Sequence, residues 1–356
     1  MTPDAPDLPV ELIRDRSAPG ARFERVSALP ESALPASAGS GAGDGGAPDP
    51  EAGAPIVVTG SDTRTHGAFS TVGAYVRLTK PRVIELLLVT TVPPMILAAN
   101  GMPSIGLILA VLVGGTLAAG GANAINCWVE RDRDQVMNRT RHRPLPLGEL
   151  PPTSALVFAI ALEVIAFAVL WATANLLSAA LALSATVFYV FVYTIWLKPR
   201  SPQNIVIGGA AGAVPVLVGW AAVTGSLAAP AWVLFAVIFF WTPPHFWALS
   251  VRYRDDYAAA GIPMLPVVKG LKVAARQILV YSVIVVATTL VLVPVSSMGI
   301  VYTATAVVLG ALFIAQAAAL ARDLTPERAM KLFTFSNIYL ALLFAAIAVD
   351  VLVRAA

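Results

Sequence analysis

The feature that most constrains this chain is a series of nine apolar runs, beginning near Val83, Ile105, Ser154, Leu176, Ile205, Trp232, Ile278, Val301 and Phe333. Each is about 20 residues long, the length a helix needs to cross the hydrocarbon core of a bilayer. Lipid offers no partner for a bare N–H or C=O, so such runs must close their own backbone bonds as helices. The expected fold is therefore an all-α polytopic membrane protein with nine transmembrane helices. Composition agrees: 13% of residues are charged, against about 25% in soluble domains, which excludes a water-soluble enzyme. Cys127 is the single cysteine, so neither an internal disulfide nor a multi-thiolate metal site is open to the chain. No nucleic-acid partner is expected.

Charge divides the chain into two parts. Residues 1–70 carry ten acids against Arg14, Arg16, Arg22, Arg25 and Arg64, and are rich in Ala, Pro, Gly and Ser. They read as a disordered, cytoplasmic tail. No apolar core follows a basic start, and the acidity is wrong for a mitochondrial transit peptide. Residues 71–356 form the nine-helix membrane domain. Of its 19 Lys and Arg residues, 18 fall before the first span or after the even-numbered ones, and only Arg354 falls on the other side. By the positive-inside rule the N-terminus is cytoplasmic and the C-terminus lies outside. Two long cytoplasmic loops, after spans 2 and 6, each hold acids followed by a Pro-containing apolar strip, Arg143-Pro144-Leu145-Pro146 and Ile262-Pro263-Met264-Leu265-Pro266. This spacing suggests a four-helix unit used twice, plus a ninth helix.

Span 2 runs into Asn126, Glu130 and Asp134, at i, i+4 and i+8. On a helix these share one face over about 12 Å. Carboxylates stacked at the mouth of a membrane bundle are costly unless neutralised. Mg²⁺ does this, and reaches proteins through one or two carboxylates plus substrate phosphates. Arg131, Arg133, Arg139, Arg141 and Arg143 follow in the same loop, a set suited to a polyanionic phosphate group. A solvated, charge-balanced loop end is the alternative that spacing alone leaves open.

The string Asn126-Cys127-Trp128-Val129-Glu130-Arg131-Asp132-Arg133-Asp134 resembles the first aspartate-rich motif of the UbiA superfamily of intramembrane prenyltransferases, with Glu130 in place of the first Asp. Ser201-Pro202-Gln203-Asn204, Gly219-Trp220 and Trp241-Thr242-Pro243-Pro244-His245-Phe246-Trp247 further resemble the branch of that superfamily that farnesylates heme. The likeness covers about residues 74–350. In the second acidic segment Tyr253 and Tyr257 stand where the superfamily usually has acids, leaving Asp255 and Asp256.

The resemblance implies a UbiA-type helical bundle in a bacterial inner membrane, with farnesyl diphosphate as donor and heme b as acceptor. It implies Mg²⁺ held by Asn126, Glu130, Asp134 and Asp256, the residues that ionise the donor. Arg139, Arg143 and Lys198, with Lys80 and Arg82 as further candidates, would bind phosphate; Tyr253 and Tyr257 belong to the same substrate site. A downstream heme-modifying oxidase is an implied partner. His245 is the one histidine inside a span, and an ionisable group there is functional by default. It could ligate heme iron, orient a water or propionate, or pack as a hydrogen-bonded helix contact. His142 and His66 read as solvated. Glu163 lies mid-span and needs a partner that the sequence does not identify. Trp128, Trp220, Trp241 and Trp247 suit either porphyrin stacking or interfacial anchoring. A phenolic acceptor such as 4-hydroxybenzoate is the rival enzymatic reading. A transporter is the rival of a different class, but its polar sites would lie near the midplane.

Overall fold

The computed structural model describes residues 68–355. The expected tail, with His66, lies outside the described residues apart from its last three positions, which begin a helix. In chain order the helices are α1 (Ala68–Thr79), α2 (Pro81–Ala99), α3 (Ile105–Asp134), α4 (Pro152–Thr173), α5 (Leu176–Val187), α6 (Asn204–Thr224), α7 (Ala229–Arg252), α8 (Arg254–Ala259), α9 (Leu265–Val268), α10 (Gly270–Ser296), α11 (Ile300–Arg322) and α12 (Pro326–Ala355). A π-helical stretch, Phe188–Leu197, continues α5. Among the described residues nine helices are long and apolar enough to cross a membrane, and they hold the nine apolar runs one for one. The chain is a multi-pass membrane protein. Three elements lie outside the spans: α1, which the sequence did not indicate, and the short helices α8 and α9 of the second long loop.

Burial ranks the spans. In α6 and α7, 56% and 61% of the most apolar stretch is buried, against 28% in α3, α4, α11 and the α5 span. The first pair is therefore central and the others present a broad face to lipid. There, exposed Val157, Trp196 and Ile300 carry no hydrophobic penalty. Close approach depends on small residues. A Cβ on Gly219 of α6 would lie 2.5 Å from the Thr91 carbonyl of α2, and one on Gly209 would lie 2.9 Å from Thr242 Cβ of α7. The main core gathers Trp241 and Trp247 of α7, Tyr302 and Phe313 of α11, and Tyr339 and Phe344 of α12.

The far end of the bundle explains the one cation that breaks the charge pattern. Helix α11 starts after Gly299, which has no side chain to cap it. Asp350 of α12 caps it instead, accepting from the backbone N–H groups of Gly299 (2.7 Å) and Tyr302 (3.2 Å). Arg354, one turn on, pairs with Asp350 at 2.9 Å and donates to the Ser297 carbonyl at 2.7 Å. It fastens α12 to the turn between α10 and α11.

Candidate active site

Helix α3 is 30 residues long, about 45 Å at 1.5 Å per residue, so its last turns outrun the hydrocarbon core. Asn126, Glu130 and Asp134 line one face of that end and are only 2–3% exposed. Each is met by a cation from a different element. Lys80, from the α1–α2 corner, donates to Asn126 Oδ1 at 2.7 Å. Lys198, just past the π-helical stretch, forms an ion pair with Glu130 Oε1. Arg143, from the α3–α4 loop, pairs with Asp134 at 2.6 Å.

Local structure explains why these cations arrive. Lys80 has φ 55°, a left-handed backbone rarely adopted by a side-chain-bearing residue. Such strain persists only when the surroundings hold it, and α3 does so: Asn123 Nδ2 donates to the Thr79 carbonyl at 2.9 Å, and Cys127 Sγ approaches the Leu78 carbonyl. The π-helical stretch advances the chain with wider turns, closing Lys198 N–H onto the Tyr193 carbonyl at 2.8 Å. It also presents Thr194 Oγ1 to Asn126 Nδ2 at 3.1 Å. Such insertions gather at functional sites.

Burial holds the Lys80 ammonium below the usual lysine range. Burial alone would do the same to Lys198, but Glu130 beside it outweighs that and raises it above the lysine value. Likewise burial opposes, and Asp134 overcomes, for Arg143, which is raised. Three cations thus face two carboxylates, a surplus positive charge suited to an incoming anion.

The residues also fit Mg²⁺. Three oxygen-bearing side chains, the preferred donors of a hard cation, share one face. Glu130 Oε1 is buried and meets the Lys198 ammonium without an aligned hydrogen bond, so an oxygen remains for a better-placed partner. Among the described residues no group of three His, Cys, Asp or Glu could hold a metal by itself.

Asp256 stands apart from this trio. Its carboxylate accepts from Asn138 Nδ2 at 3.0 Å and from the Arg139 backbone N–H at 3.1 Å. The Arg139 guanidinium lies 5.8 Å and 6.0 Å from the rings of Tyr253 and Tyr257. These five residues form a second group that ties the two long loops together. Asp255, Arg82 and His142 are exposed.

His245 is buried in α7, between the rings of Trp241 (centroids 4.2 Å apart) and Phe333 (4.5 Å). Its Nδ1 lies 2.7 Å from Ser336 Oγ of α12. Trp247 is 1% exposed and Trp220 7% exposed, so both pack inside the bundle, while Trp128 carries Arg131 at 5.1 Å. Glu163 has its partner in Thr186 of α5, which donates to Oε1 at 3.1 Å, and it sits directly over Gly121 of α3.

Residues 87–343 match the UbiA prenyltransferase family, which is well over half the chain. This chain belongs to that family. It is 59% identical over 280 residues to protoheme IX farnesyltransferase 1 of Saccharopolyspora erythraea, a match covering 78% of this chain and 89% of that protein. A solved structure of digeranylgeranylglyceryl phosphate synthase shares the fold with TM-score 0.66 at 19% identity, covering 79% of this chain and 98% of the other. So does a UbiA homolog from Archaeoglobus fulgidus bound to GPP and Mg²⁺, with TM-score 0.54 at 19% identity, covering 77% and 99%.

In this UbiA chain the structure therefore brings together Asn126, Glu130, Asp134, Arg143 and Lys198. It places Asp256, Arg139, Tyr253 and Tyr257 in the neighbouring loop group, and His245 in the bundle. Lys80 joins the first set; Arg82 does not. Thr194, Asn138 and Ser336 were not indicated by the sequence. Their small polar side chains are common in such helices and loops, and only their bonds to Asn126, Asp256 and His245 set them apart.

Proposed function

We propose that this chain transfers the farnesyl group of farnesyl diphosphate to a vinyl group of heme b, giving the hydroxyethylfarnesyl side chain of heme O. The observation that carries the reading is the 59% identity to protoheme IX farnesyltransferase 1 across nearly the whole membrane domain. The binding of GPP and Mg²⁺ by a UbiA homolog of the same fold supports a prenyl diphosphate donor.

In this reading Asn126, Glu130 and Asp134 would hold Mg²⁺, and Asp256 would join them if released from Asn138 and Arg139. Bound there, Mg²⁺ would supply charge to offset that which collects on the leaving diphosphate. Lys80, Lys198 and Arg143 transfer from their present oxygen partners to phosphate oxygens, where preorganised charge favours departure. Arg139, faced by Tyr253 and Tyr257, is a further phosphate contact at the mouth. The allylic carbon leaves diphosphate with the bonding pair on oxygen, and the apolar bundle keeps water from the cation. The vinyl π-pair of heme then forms the new carbon–carbon bond. Water adds to the porphyrin-stabilised cation and loses a proton, giving the hydroxyl. His245 acts on the heme side.

The acidic end faces the cytoplasm and Arg354 lies on the outer side of a bacterial inner membrane, as the charge distribution favours. Heme O then passes to a downstream heme-modifying oxidase. The test is to give the purified chain farnesyl diphosphate, Mg²⁺ and either heme b or 4-hydroxybenzoate. Farnesylated heme is expected, with loss of turnover on chelation. Transfer to 4-hydroxybenzoate and not to heme would overturn the assignment.

A further inference from the structure

Ser336 sits in α12, wholly buried, and its hydroxyl has two close neighbours. Oγ lies 2.7 Å from the Phe333 carbonyl and 2.7 Å from His245 Nδ1. A hydroxyl has one proton to donate. The Phe333 carbonyl has none, so at 2.7 Å the serine proton must lie between these two oxygens; otherwise lone pairs would face each other. Ser336 Oγ is then left with only lone pairs to offer His245, so the proton in that contact belongs to Nδ1. A neutral imidazole carries its proton on one nitrogen and a lone pair on the other. Nε2 therefore bears the lone pair.

The surroundings hold this arrangement in place. Trp241 and Phe333 stack on the two faces of the imidazole at interplanar angles of 20° and 27°, which stops the ring from tilting. Trp241 Nε1 donates to the Ser336 carbonyl at 2.8 Å, so the serine and one wall of the sandwich move together. Which ring nitrogen is free to act is set by the bond that the other one makes, and here one buried serine makes that bond.

We propose that Ser336 is a positioning residue of the acceptor site, holding His245 in the Nδ1-protonated tautomer so that Nε2 offers its lone pair to the heme substrate. This rests on the heme-farnesylating reading above, but the tautomer itself is a property of the protein alone. Outer partners that orient a metal-ligating histidine commonly change metal affinity or activity 10- to 100-fold when removed.

Two measurements on the full-length, detergent-purified chain test it. The first needs no substrate: ¹⁵N NMR of histidine-labelled protein, with the His245 signals assigned by their loss in His245→Ala. The Nδ1-protonated pattern is expected in the wild type and its loss in Ser336→Ala. An Nε2-protonated His245 in the wild type, or a pattern unchanged by Ser336→Ala, overturns the proposal.

The second is a double-mutant cycle on heme turnover with Ser336→Ala and His245→Ala. Ser336→Ala should lower kcat/KM for heme about tenfold, the low end of that range, and leave the KM for farnesyl diphosphate within about twofold. In the His245→Ala background the same change should have no further effect. A loss that persists there, or one that weakens both substrates equally with a lower Tm, means that Ser336 only packs. A wild type that keeps its tautomer signature but makes no heme O removes the functional reading and with it the heme role.

Discussion

Replacing Lys198 by Met separates charge balance from packing. Lys198 and Glu130 have side-chain exposures of 14% and 4%, so neither charge is well hydrated. Methionine fills much of the volume of the lysine stem while removing the ammonium, leaving the Glu130 carboxylate without its partner. Breaking a buried pair from one side typically costs about 3–5 kcal/mol. Lys80 and Arg143 remain within electrostatic reach of Glu130, which argues for the lower end, about 3 kcal/mol. In the double variant Lys198→Met/Glu130→Gln neither member of the pair is left charged without the other, and stability should return to within about 1 kcal/mol of wild type. SDS titration of detergent-purified protein measures both values. A single variant as stable as wild type, or a double variant no better than the single one, would refute the pairing. Both variants should turn over poorly, because each lacks the Lys198 phosphate contact and the double variant also lacks the Glu130 carboxylate that would hold Mg²⁺; the stability of the double variant separates this loss from one of folding.

Asp134→Asn should abolish turnover with insertion intact, since it keeps shape but loses the charge that opposes Arg143 and would hold Mg²⁺; near-normal kcat in the purified variant would count against it. Glu130→Asp restores the usual UbiA residue and should retain measurable turnover in the same assay. Asp350→Ala removes the cap of α11 and strands two backbone N–H groups, at a cost of about 2–3 kcal/mol, read as a lower Tm with unchanged KM for both substrates. Gly219→Leu should prevent stable assembly, because the α2 backbone lies 2.5 Å from where its Cβ would be; a folded variant of normal Tm would show that the two helices can separate.

The spans were legible in the sequence because lipid leaves an apolar run of that length little choice but helix. The trio on α3 was legible for a related reason: i, i+4 spacing places residues on one face whatever the tertiary structure. What joins those residues to the rest was not. Asn126 and Thr194 are 68 residues apart, His245 and Ser336 are 91 apart, and Asn138 and Asp256 are 118 apart. Only helix packing brings such pairs together, and a lone Ser or Thr in an apolar helix carries no mark of its partner.

The π-helical stretch was hidden for another reason. Phe188 to Leu197 is apolar apart from Tyr189, Tyr193 and Thr194, and such a run suits either helical period. Asp256 shows a limit of motif reading: it stands beside Tyr257, which takes the position where the superfamily usually has an acid, and in this structure its oxygens serve the other loop. The sequence left the Arg354 charge as an exception on the outer side; Asp350, one turn before it, is the physical reason for its position.

The most direct test of the proposed activity is the mass of heme extracted after membranes containing this chain are incubated with heme b, farnesyl diphosphate and Mg²⁺. The expected product is heme that has gained one farnesyl group and one hydroxyl, absent without Mg²⁺ and absent with Asp134→Asn. A heme pool of unchanged mass, in membranes where the folded chain is present, would contradict it.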